Sequence, residues 1–373
     1  MLQDRAPGDW LMWRRTLNGW GDSPLDQIDR DNVDDLRMVR TRALAPGSQE
    51  GTLLAYGGML YMPNPNDHLQ AIDAVTGDLV WEYRRELPDD LLEVLGGLVD
   101  VDRNVAIYGD VIIDTGNDDY VYALDAVTGE PAWETQIFDC ESMPTRYTSG
   151  PIVANGKVVS GRSCRPRGGP DTCVIVAHDA TTGAEVWRTR LVPAPGEPGD
   201  ETWGGGPFEE RVHVGSWMVP SYDPLRNSCA RVLSTMEGGL AICRLAARFQ
   251  LAPGTDQLGI VRAISVETGE TVWIHEQRAG TMSLVATGGG LVFGGDVNGR
   301  FRALDQETGD VVWEINLGSQ VTGFPITYAV DGRQYVAVST GKGNPQARNL
   351  LEVIGHLQRT EGLHVQGSLK AAS

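Results

Sequence analysis

The sequence has too few basic residues for a protein that binds a nucleic-acid backbone. Among 373 residues, 50 are Asp or Glu and only 31 are Lys or Arg, which gives a formal net charge of -19. No basic stripe relieves this charge locally, so nucleic acid is not expected as a partner. Long apolar runs are also lacking, and the sequence therefore predicts no membrane-spanning helix.

Cysteine is scarce, and its five positions include no CxxC pair. This argues against a zinc site or a redox dithiol. Cys164 and Cys173 flank a turn of sequence RPRGGPDT, and two alternatives are open for them: a disulfide across a hairpin, or two half-buried thiols. The N-terminus lacks a basic segment followed by an apolar run, so no signal peptide is predicted in this chain.

Several catalytic motifs are absent as well. No GxGxxG follows a predicted strand and opens a helix, which argues against a nicotinamide cofactor. No GxSxG elbow is present, and the six histidines lie in separate segments without metal-ligand spacing.

The sequence does contain a repeated motif of a strand, a Thr-Gly turn and a second strand that ends in Trp. Its copies are AIDAVTGDLVW, ALDAVTGEPAW, AHDATTGAEVW, AISVETGETVW and ALDQETGDVVW, which end at Trp81, Trp133, Trp187, Trp273 and Trp313. Glycine supplies the positive φ of the turn, and the Asp after the strand can accept from the turn amides; Ser265 replaces it in the fourth copy. Tryptophan suits a strand packed between blades, because its ring fills the wedge and its N–H can bond the neighbouring backbone.

Further alternating segments lie upstream of each copy, so each unit is predicted to form four short antiparallel strands. We therefore expect an all-β fold, a β-propeller of about five to six blades over residues 50–345. Residues 1–49 form an opening segment and residues 346–373 a tail, where NLLEVIGHL suggests either disorder or a short helix. The segments FPITYAV and QYVAVST are expected to join an N-terminal strand and close the ring.

The repeat resembles the tryptophan-docking motif of the dehydrogenases that depend on pyrroloquinoline quinone (PQQ), which are eight-bladed propellers. The resemblance extends from about Asp9 to Gly341. It includes the opening segment DWLMWRRTLNGWGDSPLDQIDRDNVDDLR, the first blade EGTLLAYGGMLYMPNPNDHLQAIDAVTGDLVWEYRR and the later segment WMVPSYDP.

The resemblance implies four cofactor-binding residues. Trp217 matches a tryptophan that stacks on the quinone, and Arg103 matches an arginine that pairs with a PQQ carboxylate. Thr148 and Ser163 match hydroxyl donors around the acid groups. The alternatives are a propeller-core tryptophan, a solvated arginine and ordinary turn residues.

The sequence departs from the family pattern at three places. Arg165 and Arg167 stand where a calcium-binding glutamate is expected, and calcium prefers oxygen ligands. No cysteine pair precedes Arg103. Compared with a full-length member, two to three blades are predicted to be missing near Asn227, and the resemblance assigns neither the catalytic base nor the metal ligands.

The resemblance implies a periplasmic enzyme that oxidises an alcohol to an aldehyde or ketone with PQQ and calcium and passes electrons to a cytochrome or another acceptor. The departures make turnover and calcium binding doubtful. Two alternatives are therefore a catalytically inactive propeller derived from such an enzyme, and a scaffold propeller for protein interaction, similar to an outer-membrane assembly lipoprotein.

Overall fold

The computed structural model describes residues 6–17, 19–95, 101–145, 147–164, 168–211, 214–215, 219, 221–223, 228–230, 234–235, 259–265, 267–277, 281–341 and 368–372. The strands in chain order are β1 (Asp22–Ser23), β2 (Met38–Ala43), β3 (Leu54–Tyr56), β4 (Met59–Asn64), β5 (His68–Asp73), β6 (Leu79–Arg84), β7 (Ala106–Tyr108), β8 (Val111–Thr115), β9 (Tyr120–Asp125), β10 (Pro131–Gln136), β11 (Ile152–Ala154), β12 (Lys157–Gly161), β13 (Val174–Asp179), β14 (Glu185–Arg190), β15 (Val214–Gly215), β16 (Ser221–Asp223), β17 (Ser228–Ala230), β18 (Ser234–Thr235), β19 (Gly259–Ile264), β20 (Thr271–Gln277), β21 (Thr281–Thr287), β22 (Leu291–Asp296), β23 (Arg300–Asp305), β24 (Val311–Asn316), β25 (Ile326–Val330), β26 (Arg333–Thr340) and β27 (Ser368–Ala372).

Helices are few and short. The α-helix α1 spans Leu91–Leu95, and single 3₁₀ turns lie at Val33–Asp35, Pro170–Thr172, Asp200–Trp203 and Phe208–Glu210. Among the residues with assigned structure, no helix is long and apolar enough to cross a membrane.

Within the described ranges, five sheets of four or more strands form blades. Blade 1 is β3-β4-β5-β6, blade 2 is β7-β8-β9-β10, blade 3 is β11-β12-β13-β14, and blade 4 is β21-β22-β23-β24 with β1 added in parallel. Blade 5 is β25-β26-β27-β2, and the remaining strands pair as β19-β20, β15-β18 and β16-β17. The all-β propeller predicted from the sequence is confirmed.

The Thr-Gly turns have the geometry expected from the repeat. Asp125 Oδ1 accepts hydrogen bonds from the backbone amides of Val127 and Thr128 at 3.0 and 2.8 Å, and Gly129 has φ 76°. Equivalent carboxylates bond the turn amides at Asp73, Asp179 and Asp305. In the fourth copy, Ser265 Oγ accepts from the Thr268 amide at 3.2 Å.

The repeated tryptophans dock on the Thr-Gly turn of the next blade. Trp81 Nε1 donates to the Ala126 carbonyl at 3.1 Å, and a Cβ at Gly129 would lie 2.7 Å from the Trp81 ring. Trp273 makes the same contacts, donating to the Gln306 carbonyl at 3.0 Å and covering Gly309. Glycine is required in these turns by its positive φ and by the ring that covers it.

An arginine replaces the docking tryptophan where the ring closes. Arg40, on the N-terminal strand β2 of blade 5, donates from Nη1 to the Ala74 carbonyl at 2.7 Å. A Cβ at Gly77 would lie 2.7 Å from Arg40 Cδ. Ala74 and Gly77 occupy the same turn positions as Ala126 and Gly129, so Arg40 links blade 5 to blade 1 as Trp81 links blade 1 to blade 2.

The closing sheet combines strands from both ends of the chain. As predicted, β25 and β26, which carry FPITYAV and QYVAVST, share a sheet with an N-terminal strand, β2. The tail strand β27 lies between β26 and β2 and was not foreseen. NLLEVIGHL lies outside the described residues.

The opening segment covers one end of the inner strands. Trp10 exchanges backbone hydrogen bonds with Ala55 of β3 at 2.8 and 2.9 Å, and Gly8 accepts from the Ala329 amide at the end of β25. Strand β1 pairs with the end of β21. The segment also reaches the residues that precede inner strands, since the rings of Trp13 and Phe324 lie 4.4 Å apart.

Candidate functional site

Three consecutive blades place a polar residue just before their innermost strand. Glu50 precedes β3, Arg103 precedes β7 and Thr148 precedes β11, each by three or four residues. Ser163 follows β12, which runs antiparallel to β11, so it lies at the same end of blade 3. Glu50, Arg103, Thr148 and Ser163 together are called the axial polar site below.

Arg103 connects the three blades at this site. Its Nη2 donates to Glu50 Oε2 at 2.6 Å, and its Nη1 donates to the Thr148 carbonyl at 2.5 Å. Its own carbonyl accepts from the Thr52 amide at 2.9 Å. The guanidinium is thereby fixed, with a side-chain exposure of only 14%, and a fork of donors in this position suits a planar anion.

Ser163 is half-buried beside a disulfide that joins Cys164 to Cys173. Both cysteines are fully buried against Val192. Of the two alternatives for this pair, the disulfide is the one present. The disulfide lies within the β12–β13 loop, and Ser163 immediately precedes Cys164.

Several buried polar atoms around the site have no hydrogen-bond partner in the described structure. They are Glu50 Oε1, Thr52 Oγ1, Asp102 Oδ1 and Asn104 Oδ1. Buried polar atoms are normally paired, so such a group of unpaired atoms is typical of a place where a ligand or water binds.

A layer of buried carboxyl groups lies beside the site. Burial raises the pKa of Asp67 to about 8 and those of Asp114 and Asp119 to about 6, and it raises the pKa of Asp102 well above its ordinary range. The cations Arg85 and Arg162 offset part of this charge. Arg85 Nε contacts Asp118 Oδ2 at 2.7 Å, and Arg162 Nη1 lies 3.5 Å from Asp119 Oδ1.

The structure thus brings Arg103 and Thr148 together, through the Thr148 carbonyl, and places Ser163 at the same end. Trp217, Arg165, Arg167 and Asn227 lie outside the described residues. Glu50 was missed in the sequence, where it is a lone acid in a loop. Its position immediately before the first blade strand was the only signal.

A calcium site is not found in the part of the chain that is described. No three or more His, Cys, Asp or Glu side chains there are arranged to hold a metal ion. The Arg103 guanidinium suits an anionic group of a ligand, whereas the unpaired oxygens around it suit hydrogen-bond donors or a cation.

The comparison with known families decides the assignment. The profile of the PQQ glucose/ethanol/alcohol dehydrogenase β-propeller domain matches residues 10–229 and 254–336. The chain belongs to this family. Its resemblance to the family, predicted from the repeat and the opening segment, is confirmed.

Named relatives include two quinone-linked alcohol dehydrogenases. The chain is 30% identical over 292 residues to quinohemoprotein alcohol dehydrogenase ADH-IIG of Pseudomonas putida. The aligned region covers 74% of this chain and 39% of that protein. It is 29% identical over 294 residues to the dehydrogenase subunit of a quinone alcohol dehydrogenase of Gluconacetobacter polyoxogenes, with coverage of 74% and 39%. The chain therefore spans about two-fifths of the length of these curated relatives.

Solved structures support the fold. A europium-containing methanol dehydrogenase superposes with a TM-score of 0.75 at 18% identity, covering 99% of this chain and 98% of that chain. ADHIIG from Pseudomonas putida HK5 gives a TM-score of 0.75 at 19% identity, covering 98% and 80%. At these identities the likeness shows the propeller fold alone.

Proposed function

We propose that this chain binds PQQ at the axial polar site and serves the oxidation of an alcohol to an aldehyde or ketone. Membership of the PQQ dehydrogenase family supports the class of cofactor and reaction. The observation that carries the proposal is the fixed guanidinium of Arg103, which bonds Glu50 before blade 1 and Thr148 before blade 3.

The residues of the chain have distinct parts in this proposal. Arg103 pairs with a carboxylate of the cofactor, and the hydroxyls of Thr148 and Ser163 donate to its acid groups. Glu50 holds Arg103 in place and balances the charge of the guanidinium while no ligand is bound. Trp217 provides a flat surface for the ring system. PQQ, when bound, supplies a quinone that accepts two electrons from the alcohol.

Arg103 and Glu50 also favour ligands that carry a free, negatively charged carboxylate. A free carboxylate gains a charge-assisted hydrogen bond from Arg103, whereas an ester of the same size does not. The Glu50 carboxylate repels anions that do not engage the guanidinium directly. The site should therefore prefer the polyanionic cofactor over its neutral esters.

A second candidate function is a propeller that binds the quinone without turnover. It is favoured by the lack of a metal-holding group of side chains in the described ranges and by Arg165 and Arg167 in the segment where the family resemblance places an acid. Because no residue here is assigned as metal ligand or base, we derive no step that uses calcium.

The electron acceptor and location follow from the family resemblance. We propose a cytochrome or another redox protein as acceptor and the periplasm as compartment. The disulfide between Cys164 and Cys173 is consistent with an oxidising compartment.

The test is reconstitution of the purified protein with PQQ, with and without Ca²⁺, followed by dye reduction with a panel of alcohols. We expect quinone absorbance to remain with the protein and the Arg103→Ala variant to bind at least about tenfold more weakly, since a charge-assisted bond is lost. Arg84→Ala, which changes an exposed arginine of blade 1, is the matched control.

The outcomes separate the candidates. Retained quinone with dye reduction supports the dehydrogenase, and retained quinone without dye reduction supports the non-catalytic propeller. If no quinone remains with the protein, or if Arg103→Ala binds it as well as the wild type, the proposed site is wrong.

A further inference from the structure

The Thr-Gly turns of the repeat act as docking sites, and four of the five are covered. At these four, a Cβ added to the turn glycine would collide with the covering side chain; the pairs are Gly77 with Arg40, Gly129 with Trp81, Gly183 with Trp133 and Gly309 with Trp273. The fifth turn glycine, Gly269, is exposed, and such a Cβ would meet no atom of the described chain within 4 Å.

The Gly269 turn is nevertheless fully formed. Gly269 has φ 73°, and its amide donates to the Ser265 carbonyl at 2.8 Å, as the Gly129 amide does to Asp125 in blade 2. The turn is therefore a preformed docking site that no ring covers.

The outer strand of blade 3 carries a ring that covers no turn. All six residues of β14 are exposed, and Trp187 is 40% exposed, whereas the equivalent Trp81 and Trp313 are 8% and 9% exposed. Within the described part of the chain, the Trp187 ring lies over no turn glycine. A large apolar ring is thus left in contact with water.

Strand β14 also carries a second docking group. In blade 2, Thr135 follows Trp133 by two residues, and its Oγ1 donates to the Gly183 carbonyl at 2.7 Å. Residues two apart lie on the same face of a strand. Thr189 follows Trp187 at the same spacing and is exposed. Strand β14 therefore has both groups with which blade 2 holds the turn of blade 3.

The uncovered turn and the uncovered ring lie on either side of one interval of the chain. Strand β14 is the last strand of blade 3, and the Gly269 turn joins β19 to β20, whose Trp273 docks on blade 4. Each copy of the chain thus has one ring and one turn that fit each other. Two copies can satisfy both through the same pair of contacts made twice.

We propose that two copies of this chain associate, with Trp187 of each copy docked on the Gly269 turn of its partner. Thr189 Oγ1 then donates to the Gly269 carbonyl across the interface. A second copy is the fitting occupant because it supplies both the missing ring and the missing turn, and burial of the indole stabilises the pair. The association uses no residue of the axial polar site and is independent of PQQ binding.

Three substitutions test this association. Trp187→Ala removes the ring. Gly269→Asn fills the space above the turn but keeps its backbone, because asparagine tolerates a positive φ better than other side chains. Trp20→Ala is the matched control, since it removes an indole of the opening segment that is 73% exposed.

Sedimentation equilibrium of the full chain without PQQ measures the association. We expect a reversible dimer of the wild type between about 1 and 100 µM, and association at least about a hundredfold weaker in Trp187→Ala and in Gly269→Asn, because each variant dimer loses both docking contacts. Trp20→Ala should stay within about twofold of the wild type. A wild type that is monomeric throughout, or equal losses in Trp20→Ala and Trp187→Ala, would overturn the proposal.

Mixing the two variants separates docking from a general loss of structure. In an equal mixture, Trp187 of the Gly269→Asn copy can still dock on the intact turn of the Trp187→Ala copy. We expect this mixed dimer to form about tenfold more weakly than the wild-type dimer, because one of two contacts remains. The double variant mixed with the wild type should form none. Native mass spectrometry with one partner isotopically labelled distinguishes these species.

The remaining outcomes contradict reciprocal docking. If both variants are folded by circular dichroism but form no mixed dimer, Trp187 does not dock on the Gly269 turn. Assemblies that grow beyond the dimer with concentration would also exclude the closed pair. Unfolding measured at about 0.1 µM reports the separate copies, because dilution dissociates a weak dimer.

Discussion

His178 shows at the scale of one residue how a polar group in an apolar position couples folding to pH. It is fully buried in β13, and neither ring nitrogen has a partner in the described structure. The equivalent positions of other blades are the buried residues Ile72, Leu124 and Leu304. Burial lowers the pKa of His178 to about 4, so the folded protein holds this ring neutral.

The His178→Leu variant should remove a pH dependence of stability. Below pH 6.5 the unfolded chain takes up a proton at His178 while the folded chain does not, so acid favours unfolding. Between pH 6.5 and 4 the wild type should lose up to about 3 kcal/mol of unfolding free energy relative to the variant. Urea denaturation at several pH values measures this difference, and parallel pH curves for the two proteins would contradict it.

At the axial polar site, some residues could be predicted from the sequence and others could not. Arg103 and Thr148 could be placed from a family resemblance, because each stands in a recognisable segment. Glu50 could not, since its partner Arg103 is far away in sequence and lies in the next blade.

At the scale of elements, the Trp strand is the main link between blades. Trp81 is 8% exposed and bonds the Ala126 carbonyl, whereas Trp187 is 40% exposed. The same motif thus gives a docked tryptophan in blade 1 and a partly exposed one in blade 3. Trp81 docks on the turn of blade 2, whereas no hydrogen bond of the Trp187 ring lies within the described part of the chain.

This contrast predicts unequal costs for the same substitution. Trp81→Ala should lower the unfolding free energy by about 3 kcal/mol, because it leaves a cavity and removes one of the two hydrogen bonds that the Ala126 carbonyl accepts. Trp187→Ala should cost only about 1 kcal/mol, because its ring is already partly hydrated. Denaturant midpoints of both variants at fixed pH test this, and equal losses would show that the docking contact adds nothing.

Arg40 gives a second prediction at this scale. Its guanidinium bonds the Ala74 carbonyl and lies 5.0 Å from the centre of the Tyr335 ring. Arg40→Ala should cost about 1 to 2 kcal/mol, whereas Arg84→Ala, at an exposed arginine of β6, should cost almost nothing. Thermal unfolding compares the two variants. An equal effect would mean that Arg40 does not hold blades 5 and 1 together.

The repeat made the blade strands predictable because turn, strand period and tryptophan all lie within one short window. Strands β2 and β27 were harder, because they carry no motif and pair only when both chain ends reach blade 5. The replacement of tryptophan by Arg40 illustrates this limit. Its role is defined by the Ala74 turn of blade 1 and has no signature in its own segment.

At the scale of the whole molecule, the opening segment packs across blades that are distant in sequence. Gly289, in blade 4, has no room for a side chain, because a Cβ there would collide with the Ile28 carbonyl. Gly206 lies in a loop where the nearest atom to such a Cβ would be 3.4 Å away. Neither glycine has a positive φ. The two positions therefore differ in the free space around an added Cβ and not in the sign of φ.

Gly289→Ala should therefore lower the unfolding free energy by about 2 kcal/mol, and Gly206→Ala should leave it within about 0.5 kcal/mol of wild type. The measurement is the denaturant midpoint, together with protease cleavage within residues 22–36. If Gly289→Ala is neutral and this segment stays protected, the opening segment does not pack on blade 4 as described.

The central claim is that this chain binds PQQ at the axial polar site. Equilibrium dialysis of the full chain against PQQ measures this most directly. If PQQ binds at the axial polar site, the wild type should saturate at one PQQ per chain. Arg103→Ala should lose much of this affinity, and Arg84→Ala should keep it. Failure of the wild type to retain PQQ, or equal retention by Arg103→Ala, would contradict it.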